Sequence, residues 1–340
     1  MTENYYHEGE KERDGEWEKE NRFLFIHSKR RMNLSDPRRQ QHDLLNDLRF
    51  HHDPSTNICK PENSPLVVAL VITAPQNEEK RNFIRKTWGN PDLYKRTKLK
   101  AVFVIGQVNN NNDNKQQQQH KINQEHNKYN DIVQYNFIDS YNNLTYKSLA
   151  LLTWATSRCN EVPFLLKVDD DVLVNPYHLK KFLVLQLTEP PTPKSFHKDD
   201  EWMSVPQGSN PATCYIYGRY DSTPYPLRVT KWALTMDEYP EKFFPSFVHG
   251  PAYIVGSVAA RELLKFAPYV PIIKLEDVYV TGLVAYAAKI KHVQIFNNIN
   301  TFRTVPGLYN GTQAILEENG PKTREEAWKN ISKLALDGKY

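Results

Sequence analysis

The chain has 340 residues, of which 39% are hydrophobic and 25% are charged, and its mean hydropathy is -0.67. This length allows about two domains, or one large α/β domain with appendages. Lys and Arg number 44 against 40 Asp and Glu, and the formal charge of +4 is too small to indicate nucleic acid as the main partner. The cysteines, Cys59, Cys159 and Cys214, have no CxxC spacing, which argues against a zinc ribbon and permits one disulfide plus a free thiol.

The N-terminal part of the chain has few apolar positions. Residues 1–60 are rich in Glu, Lys, Arg, His and Asn. Such a composition cannot offset an ordering entropy of about 1–2 kcal/mol per residue. The sequence therefore predicts a disordered or loosely helical tail here, a folded domain over residues 61–310 and a helical segment over residues 311–340.

The middle of the chain alternates apolar strands with helices. The apolar run at residues 65–74 predicts a strand buried on both faces of a parallel sheet, and a helix follows Asn77. Further strands are predicted at residues 101–106, 131–137 and 163–169, with a helix at residues 144–156. This βαβ rhythm predicts an α/β fold with a mostly parallel sheet. An Asn/Gln-rich stretch at residues 109–119 predicts a mobile surface loop.

The second half of the chain is less regular and richer in aromatic residues and proline. It predicts an Ala-rich helix that begins near Ser257 and another helix over residues 275–291. Glu276 and Asp277 fall in the first turn of the latter, where the helix dipole favours anions. On its own, this acidic pair is explained by that dipole.

Three adjacent carboxylates, Asp169, Asp170 and Asp171, follow the strand predicted at residues 163–169. Ligands of open α/β sheets gather beyond the carboxyl ends of strands. In an extended chain, Asp169 and Asp171 would face one way and Asp170 the other. Two converging carboxylates suit a hard divalent ion such as Mg²⁺ or Mn²⁺ that bridges to a phosphate. The alternative is a solvated turn after the strand.

Several common catalytic motifs are missing from the sequence. It contains no GxxxxGK[ST], GxGxxG, HExxH or GxSxG pattern. Kinases of the usual kind, dinucleotide dehydrogenases, zincins and serine hydrolases are therefore poorly supported. Any phosphate that the protein binds must be held by a metal and by basic side chains.

An ordered set of motifs spans residues 64–305. It comprises RNFIRKTWG (81–89), FVIG (103–106), FIDSYNNLTYKSLALLTWATSRC (137–159), FLLKVDDDVLVN (164–175), KW (231–232), FFPSFVHGPAYIVG (243–256), EDVYVTG (276–282) and FRT (302–304). In this order, the set resembles the inverting β-1,3-glycosyltransferases of glycosyltransferase family 31. That family includes β-1,3-galactosyltransferases and β-1,3-N-acetylglucosaminyltransferases.

The resemblance implies a GT-A fold over residues 61–310, with a Rossmann-like nucleotide-sugar half joined to an acceptor-binding half. It also implies that Mn²⁺, or Mg²⁺, is held against the diphosphate of a UDP-sugar donor. The resemblance implies that Asp171 is the direct metal ligand, with Asp169 as a second ligand. Asp169 and Asp170 hold the nucleotide, directly or through water. The metal would act as a Lewis acid toward the departing UDP.

The same resemblance assigns the catalytic base. Asp277 matches the family's base in the EDV motif, which takes the proton from the acceptor's 3-hydroxyl as that oxygen attacks the anomeric carbon. Glu276 would either raise the pKa of the base by like-charge repulsion or fix the acceptor through a hydrogen bond.

Basic and polar residues of two further motifs are candidate donor contacts. Arg81 and Arg85 are candidate diphosphate or uridine contacts, since Arg binds phosphate with a fork of donors. The alternative for Arg81 is a solvated helix face. Asp139 and Lys147 belong to the DSYNNLTYK motif, in which Lys147 would neutralise the acidic cluster.

The sequence also departs from the family pattern. The GGGY-like turn of many members is replaced by HGPAY at residues 249–253. The spacing from EDVY to Gly282 is one residue longer than usual, and the Cys common just beyond it is missing. Where members place a His before the C-terminal Pro and Trp, this chain offers Glu318, a hard oxygen ligand. His249 and His292 are the alternatives, although a lone His is more often structural.

These features predict a hexosyltransferase that moves galactose or N-acetylhexosamine to a glycan on a glycoprotein or glycolipid. The resemblance implies the lumenal side of the Golgi membrane, and four sequons, at Asn33, Asn143, Asn310 and Asn330, fit a lumenal protein. No stretch approaches the roughly 18 apolar residues of a membrane helix, so membrane attachment is expected from the family alone. The alternatives are a catalytically silent paralogue that binds glycan or nucleotide-sugar, and a secreted interaction domain.

Overall fold

The computed structural model describes residues 48–54, 58–60, 64–108, 114–191, 203–221, 224–295, 299–300, 305–310, 314–317 and 321–340. Its strands are β1 (Phe50–His52), β2 (Val67–Ile72), β3 (Leu99–Gln107), β4 (Ile132–Ile138), β5 (Phe164–Asp169), β6 (Val172–Val174), β7 (Ile216–Gly218), β8 (Tyr220–Asp221), β9 (Phe247–Val248), β10 (Ala252–Gly256), β11 (His292–Gln294), β12 (Ile299–Asn300) and β13 (Ile315–Glu317).

The helices alternate with these strands through the first half of the chain. They are α1 (Glu78–Lys86), α2 (Tyr94–Thr97), α3 (Lys115–Tyr129), α4 (Leu144–Arg158), α5 (Pro176–Thr188), α6 (Ser257–Phe266), a π-helix (Val278–Val284), α7 (Ala285–Ala287), α8 (Val305–Asn310) and α9 (Pro321–Leu336). None of the helices described is both long and apolar enough to cross a membrane.

The main sheet has eight strands in the order β1-β4-β3-β2-β5-β10-β7-β11. The central strands β4, β3, β2 and β5 run parallel to one another. On either side of them, β1 is antiparallel to β4 and β10 is antiparallel to both β5 and β7, while β11 is parallel to β7. The register between β2 and β5 sets Ile72 opposite Asp169. This is the predicted α/β architecture with a mostly parallel sheet, and it places the Asp triplet at the carboxyl edge of the parallel strands.

Strand β2 shows why the sheet forms. All six of its residues are buried. Val68, Leu70 and Ile72 belong to the core on one side of the sheet, and Val67, Ala69 and Val71 to the core on the other. A strand covered on both faces needs a continuous apolar run, as residues 65–74 provide. Helix α4 supplies Leu149 and Leu152 to the first of these cores.

The chain joins the fold earlier than the sequence predicts. Strand β1 pairs antiparallel with β4, Phe50 lies opposite Tyr135, and their ring centroids are 4.9 Å apart. A disulfide links Cys59 to Cys159, at the end of α4. Strand pairing and a covalent link supply order that the composition of this segment does not indicate. The described residues between 48 and 60 are thus not a tail, and residues 1–47 lie outside the described part of the chain.

The predicted loop at residues 109–119 also needs correction. Residues 115–119 form the first turns of α3, while residues 109–113 lie outside the described residues. The side-chain amide of Gln119 donates to Asn123 at 2.9 Å and to the buried Gln134 of β4 at 2.8 Å. Gln is a good helix former and its amide finds partners here, so part of the low-complexity stretch folds.

Candidate active site

Asp170 is the structural member of the Asp triplet. It lies in the turn between β5 and β6 and is buried, with 7% exposure. Its carboxylate accepts hydrogen bonds from the hydroxyl of Thr73 at 2.7 Å, the amide of Asn77 at 2.8 Å and the ammonium of Lys80 at 2.6 Å. It therefore ties the β5–β6 turn to the start of α1. Protein donors already engage both oxygens, so the nucleotide contact of Asp170, directly or through water, stays a prediction.

Asp169 and Asp171 are the accessible members. Their side chains are 39% and 51% exposed. The ammonium of Lys167 lies 2.7 Å from Oδ1 of Asp169, and that of Lys80 lies 3.6 Å from Oδ2 of Asp171. Partial desolvation raises the pKa of Asp169 to about 6, although the charge of Lys167 opposes the shift. The carboxylates predicted as metal ligands are thus the ones that a ligand can reach.

The donor set can be tested for a metal ion. In the described ranges, no group of three or more His, Cys, Asp or Glu side chains is arranged to hold one. Asp169 and Asp171 can each offer a carboxylate oxygen, and Mg²⁺ is commonly bound by one or two carboxylates plus substrate phosphates and water. The two residues therefore fit a divalent ion that the donor's diphosphate helps to bind.

The alternative ligands do not join this pair. His249 lies 3.8 Å from the carboxylate of Asp221. Nε2 of His292 donates to the carbonyl of Thr281 at 2.6 Å, and burial lowers the pKa of His292 to about 4. Both histidines have structural partners. Glu318 lies outside the described residues.

Lys167 connects the triplet to the second acidic motif. It is a buried residue of β5. Besides Asp169, its ammonium contacts Oε1 of Glu276 at 2.9 Å and donates to the carbonyl of Gly250. The neighbouring carboxylates Asp169 and Glu276 outweigh the effect of burial, so the pKa of Lys167 is raised. The sequence motifs did not single out Lys167, although a lysine within the apolar run FLLKVD indicates a buried charge that needs a partner.

Glu276 is a positioning residue. It is buried, with 7% exposure, and its Oε2 accepts hydrogen bonds from the hydroxyls of Ser148 at 2.8 Å and Tyr253 at 3.2 Å. Its two oxygens thus face protein groups. Its predicted catalytic role stays a prediction. This arrangement favours the first of the two predicted functions, in which the charge of Glu276 raises the pKa of Asp277.

Asp277 is partly exposed at the mouth of the site. Its Oδ2 accepts from the backbone N–H of Gly250 at 2.9 Å, and its Oδ1 from that of Val278 at 2.9 Å. Burial, followed by the charge of Glu276, raises the pKa of Asp277 to about 6, while the two hydrogen bonds and Lys167 oppose the shift. Asp277 is therefore ionised at neutral pH and more basic than an ordinary aspartate.

A π-helix follows Asp277. It covers Val278–Val284, the segment in which the resemblance implies one residue more before Gly282 than is usual. A π-helical turn closes i→i+5 rather than i→i+4, so it accommodates an extra residue without ending the helix. The hydroxyl of Thr281 donates to the carbonyl of Asp277 at 2.6 Å. The π-helical turn thus lies directly behind the acidic pair and can hold the additional residue that the resemblance implies.

Arg81 and Arg85 lie in a buried ion-pair network. Arg81 donates to both oxygens of Glu125 at 2.8 and 2.6 Å, and to the carbonyl of Ala74 at 2.7 Å. Arg85 binds Asp131 through two hydrogen bonds of 2.8 Å and Glu125 at 2.6 Å. The buried carboxylates require these cations. Arg85 thus has structural partners, and its diphosphate or uridine contact stays a prediction. Arg81, at 0% exposure, is also committed to protein partners.

Asp139 and Lys147 join the carboxyl ends of three strands. Asp139 follows β4 and accepts from the backbone N–H of Gly106 and from the ammonium of Lys147, each at 2.7 Å. Lys147 also donates to the carbonyl of Thr73 at 2.6 Å. Burial lowers the pKa of Lys147, although Asp139 and then Asp170 favour its charged form. Lys147 thus neutralises Asp139 directly and faces the triplet, while nucleotide contact by either residue stays a prediction.

An open pocket lies at the same edge of the sheet, between α1 and α3. Its volume is about 310 Å³. Polar side chains dominate its lining, among them Gln76, Glu78, Gln117 and Lys121. Arg81 and Glu125 form part of its wall. The residues described here thus form a polar edge that runs from this pocket through the Asp triplet to Asp277.

Comparison with known proteins supports a family assignment. Mouse (Mus musculus) beta-1,3-galactosyltransferase 2 is 31% identical over 219 residues, which cover 64% of this chain and 47% of that protein. Dog (Canis lupus familiaris) beta-1,3-galactosyltransferase 4 is 31% identical over 242 residues, covering 67% of this chain and 63% of that protein. The match thus spans about half the length of the mouse relative. The galactosyltransferase family model matches residues 79–295, which include the Asp triplet and Asp277. The chain therefore belongs to the galactosyltransferase family.

Proposed function

We propose that the protein is an inverting β-1,3-hexosyltransferase that moves galactose or N-acetylhexosamine from a UDP donor to a glycan hydroxyl. One observation carries the proposal. Asp277, a partly exposed carboxylate with a pKa of about 6, is joined through Gly250 and Lys167 to the accessible Asp169. Family membership supports transfer of a hexose. The identity of the donor, the β-1,3 linkage and the glycan acceptor are proposed in addition.

In the proposed reaction, Asp277 acts on the acceptor. Its carboxylate accepts the proton of the acceptor hydroxyl while that oxygen forms a bond to the anomeric carbon of the donor sugar. The bond from the anomeric carbon to the diphosphate breaks on the opposite face, and its electron pair leaves with UDP. Inversion follows from this geometry. The backbone N–H groups of Gly250 and Val278 orient the carboxylate.

Asp169 and Asp171 form the donor side of the proposed site. They would hold Mn²⁺ or Mg²⁺ together with the diphosphate, and such an ion supplies a Lewis acid that neutralises charge on the departing UDP. Lys167 keeps Asp169 in place through its hydrogen bond of 2.7 Å. The same lysine contacts Glu276, the residue that precedes the base in the chain.

The disulfide bears on where the protein works. Cys59–Cys159 supports folding in an oxidising compartment. A location on the lumenal side of the Golgi membrane, and an acceptor on glycoprotein or glycolipid, belong to the same proposal.

The test is transfer by the full chain, secreted from an oxidising host and supplied with a panel of UDP-hexoses and glycan acceptors, with and without Mn²⁺. Metal-dependent UDP release and a β-1,3-linked product support the proposal. Asp277→Asn should abolish transfer while UDP still binds, and Asp171→Ala should abolish Mn²⁺-dependent UDP binding. Transfer that persists in Asp277→Asn would refute the assigned base.

A silent paralogue is the second candidate. It is motivated by the departures of this chain from the family pattern at residues 249–253 and in the spacing before Gly282. It predicts UDP binding by the wild type with no turnover for any donor and acceptor in the same panel.

A further inference from the structure

Two basic side chains from distant parts of the sequence meet beside the Asp170–Asp171 turn. Lys80, on α1, lies 2.6 Å from Oδ1 of Asp170 and 3.6 Å from Oδ2 of Asp171. The guanidinium carbon of Arg324, on α9, lies 5.6 Å from the centroid of the Phe83 ring. Phe83 is one helical turn from Lys80 on α1, so positions 80 and 83 share a face. The C-terminal helix thus brings a second cation to the Lys80 face.

The charge arrangement indicates an anion between these groups. The guanidinium of Arg324 and the ammonium of Lys80 thus lie over one face of α1, where two like charges repel each other unless an anion offsets them. Nε of Arg324 is buried and has no hydrogen-bond partner among the described residues. A buried donor without an acceptor is unfavourable unless a ligand satisfies it.

Lys80 also has donor capacity to spare. An ammonium group carries three N–H donors, and its hydrogen bond to Asp170 uses one of them. The contact to Asp171 is too long for a hydrogen bond, and the side chain remains 36% exposed. Arginine offers five donors in a fork that matches phosphate oxygens. The two side chains together suit a group with several negatively charged oxygens.

We propose that Lys80 and Arg324 bind the diphosphate of the donor beside Asp171, so that helix α9 completes the donor site. This inference rests on the proposed function, because it assumes a nucleoside diphosphate donor. In this proposal, Lys80 and Arg324 are the basic residues of the donor site. Arg81 and Arg85 are not, because their donors are engaged with Glu125 and Asp131.

The experiment measures equilibrium binding of UDP and of uridine to the full-length chain by calorimetry, in Mn²⁺ and again in EDTA. The variants are Lys80→Met and Arg324→Met. Lys86→Met and Lys329→Met are matched controls, because they remove exposed lysines from the same two helices. Each test variant should weaken UDP binding by about tenfold, as expected for one charge-assisted hydrogen bond, with uridine binding unchanged. The loss should be larger in EDTA, and Lys80→Arg should restore most of the affinity.

Arg324→Met keeps the proposal testable if Lys80→Met disturbs the fold, because it leaves the contacts of Asp170 intact. Unchanged UDP affinity in both test variants would overturn the proposal while the proposed function stands. Equal weakening of UDP and uridine in both variants would also overturn it, since that would indicate a general change of fold. If the wild type binds neither UDP nor any UDP-hexose, the proposed function fails and this inference fails with it.

Discussion

The backbone N–H of Gly250 donates to Oδ2 of Asp277 at 2.9 Å. The carbonyl of the same glycine accepts a hydrogen bond from Lys167. A Cβ atom at position 250 would lie 3.1 Å from the same Asp277 oxygen, closer than most Cβ contacts. The turn at residues 249–253 therefore has a glycine where backbone and carboxylate approach each other.

This close approach predicts the effect of Gly250→Ala. The added methyl group should displace the carboxylate of Asp277, because Gly250 lies in direct contact with it. We expect kcat for transfer to fall by about tenfold or more, since small displacements of a catalytic group are costly. UDP affinity and the melting temperature serve as controls and should change little. An unchanged kcat would show that the position of Asp277 does not depend on this contact.

The pKa of Asp277 predicts the pH dependence of transfer. A general base must be ionised, and the pKa of Asp277 is raised to about 6. At saturating donor, kcat should be constant above about pH 7 and fall about tenfold per unit below about pH 6. Asp169 has a similar pKa, so its protonation is followed separately through UDP binding. Asp237→Asn, at an exposed site, should leave the profile unchanged, and a profile flat to pH 5 would contradict the role of Asp277.

The same pKa predicts how Asp277→Asn changes stability. The pKa of about 6 in the folded state exceeds the ordinary value of 3.8, so the folded protein binds the proton more tightly than the unfolded chain. Ionised Asp277 therefore lowers stability, progressively from pH 4 to pH 6 and fully above. The melting temperature of Asp277→Asn relative to wild type should be higher at pH 7.5 than at pH 4. Equal differences at the two pH values would contradict this linkage.

Much of this site follows from sequence order alone. Asp169 and Asp171 were predicted from an apolar strand that ends in carboxylates, and strand register places them at the sheet edge. Asp277 followed from the family motif. The relation between these carboxylates and Asp277 did not, because it depends on a contact between Lys167, on β5, and Gly250, in the turn that precedes the antiparallel strand β10.

The ion-pair partners of Arg81 and Arg85 could not be predicted from the sequence either. Arg85 pairs with Glu125 and Asp131, which lie 40 and 46 residues further along the chain. A single sequence contains no signal for such a pairing, so a basic residue on an amphipathic helix is equally consistent with phosphate binding and with a buried ion pair. From the sequence alone, Lys80 could equally bind phosphate or pair with a carboxylate. Only the structure shows that its ammonium lies 3.6 Å from Oδ2 of Asp171.

Lys167→Met should destabilise the protein strongly. The substitution keeps the side-chain volume but leaves Asp169 and Glu276 without their shared cation. Breaking a buried ion pair by removing one partner costs about 3–5 kcal/mol. Urea unfolding monitored by circular dichroism measures the change in the free energy of unfolding. Lys265→Met removes an exposed pair with Glu262 and should cost less than about 1 kcal/mol. A loss for Lys167→Met as small as that control would refute its linking role.

The disulfide should contribute to stability and to the site together. Cys59 and Cys159 are separated by 100 residues, and a crosslink over a loop of that length stabilises by about 4–5 kcal/mol in the chain-entropy model. Cys159 directly follows α4, which carries Lys147 and Ser148, the partners of Asp139 and Glu276.

The double variant Cys59→Ser/Cys159→Ser should therefore lower the urea midpoint, and transfer should decline at lower denaturant concentration than in the wild type. Reductant should shift the wild-type midpoint toward that of the double variant and leave the double variant unchanged. Cys214→Ser, which alters the buried free thiol, should retain the full response to reductant. A wild-type midpoint that does not respond to reductant would mean that the crosslink adds nothing to stability. Loss of transfer in the double variant without a shift of the midpoint would instead place the effect of the disulfide in the local position of α4.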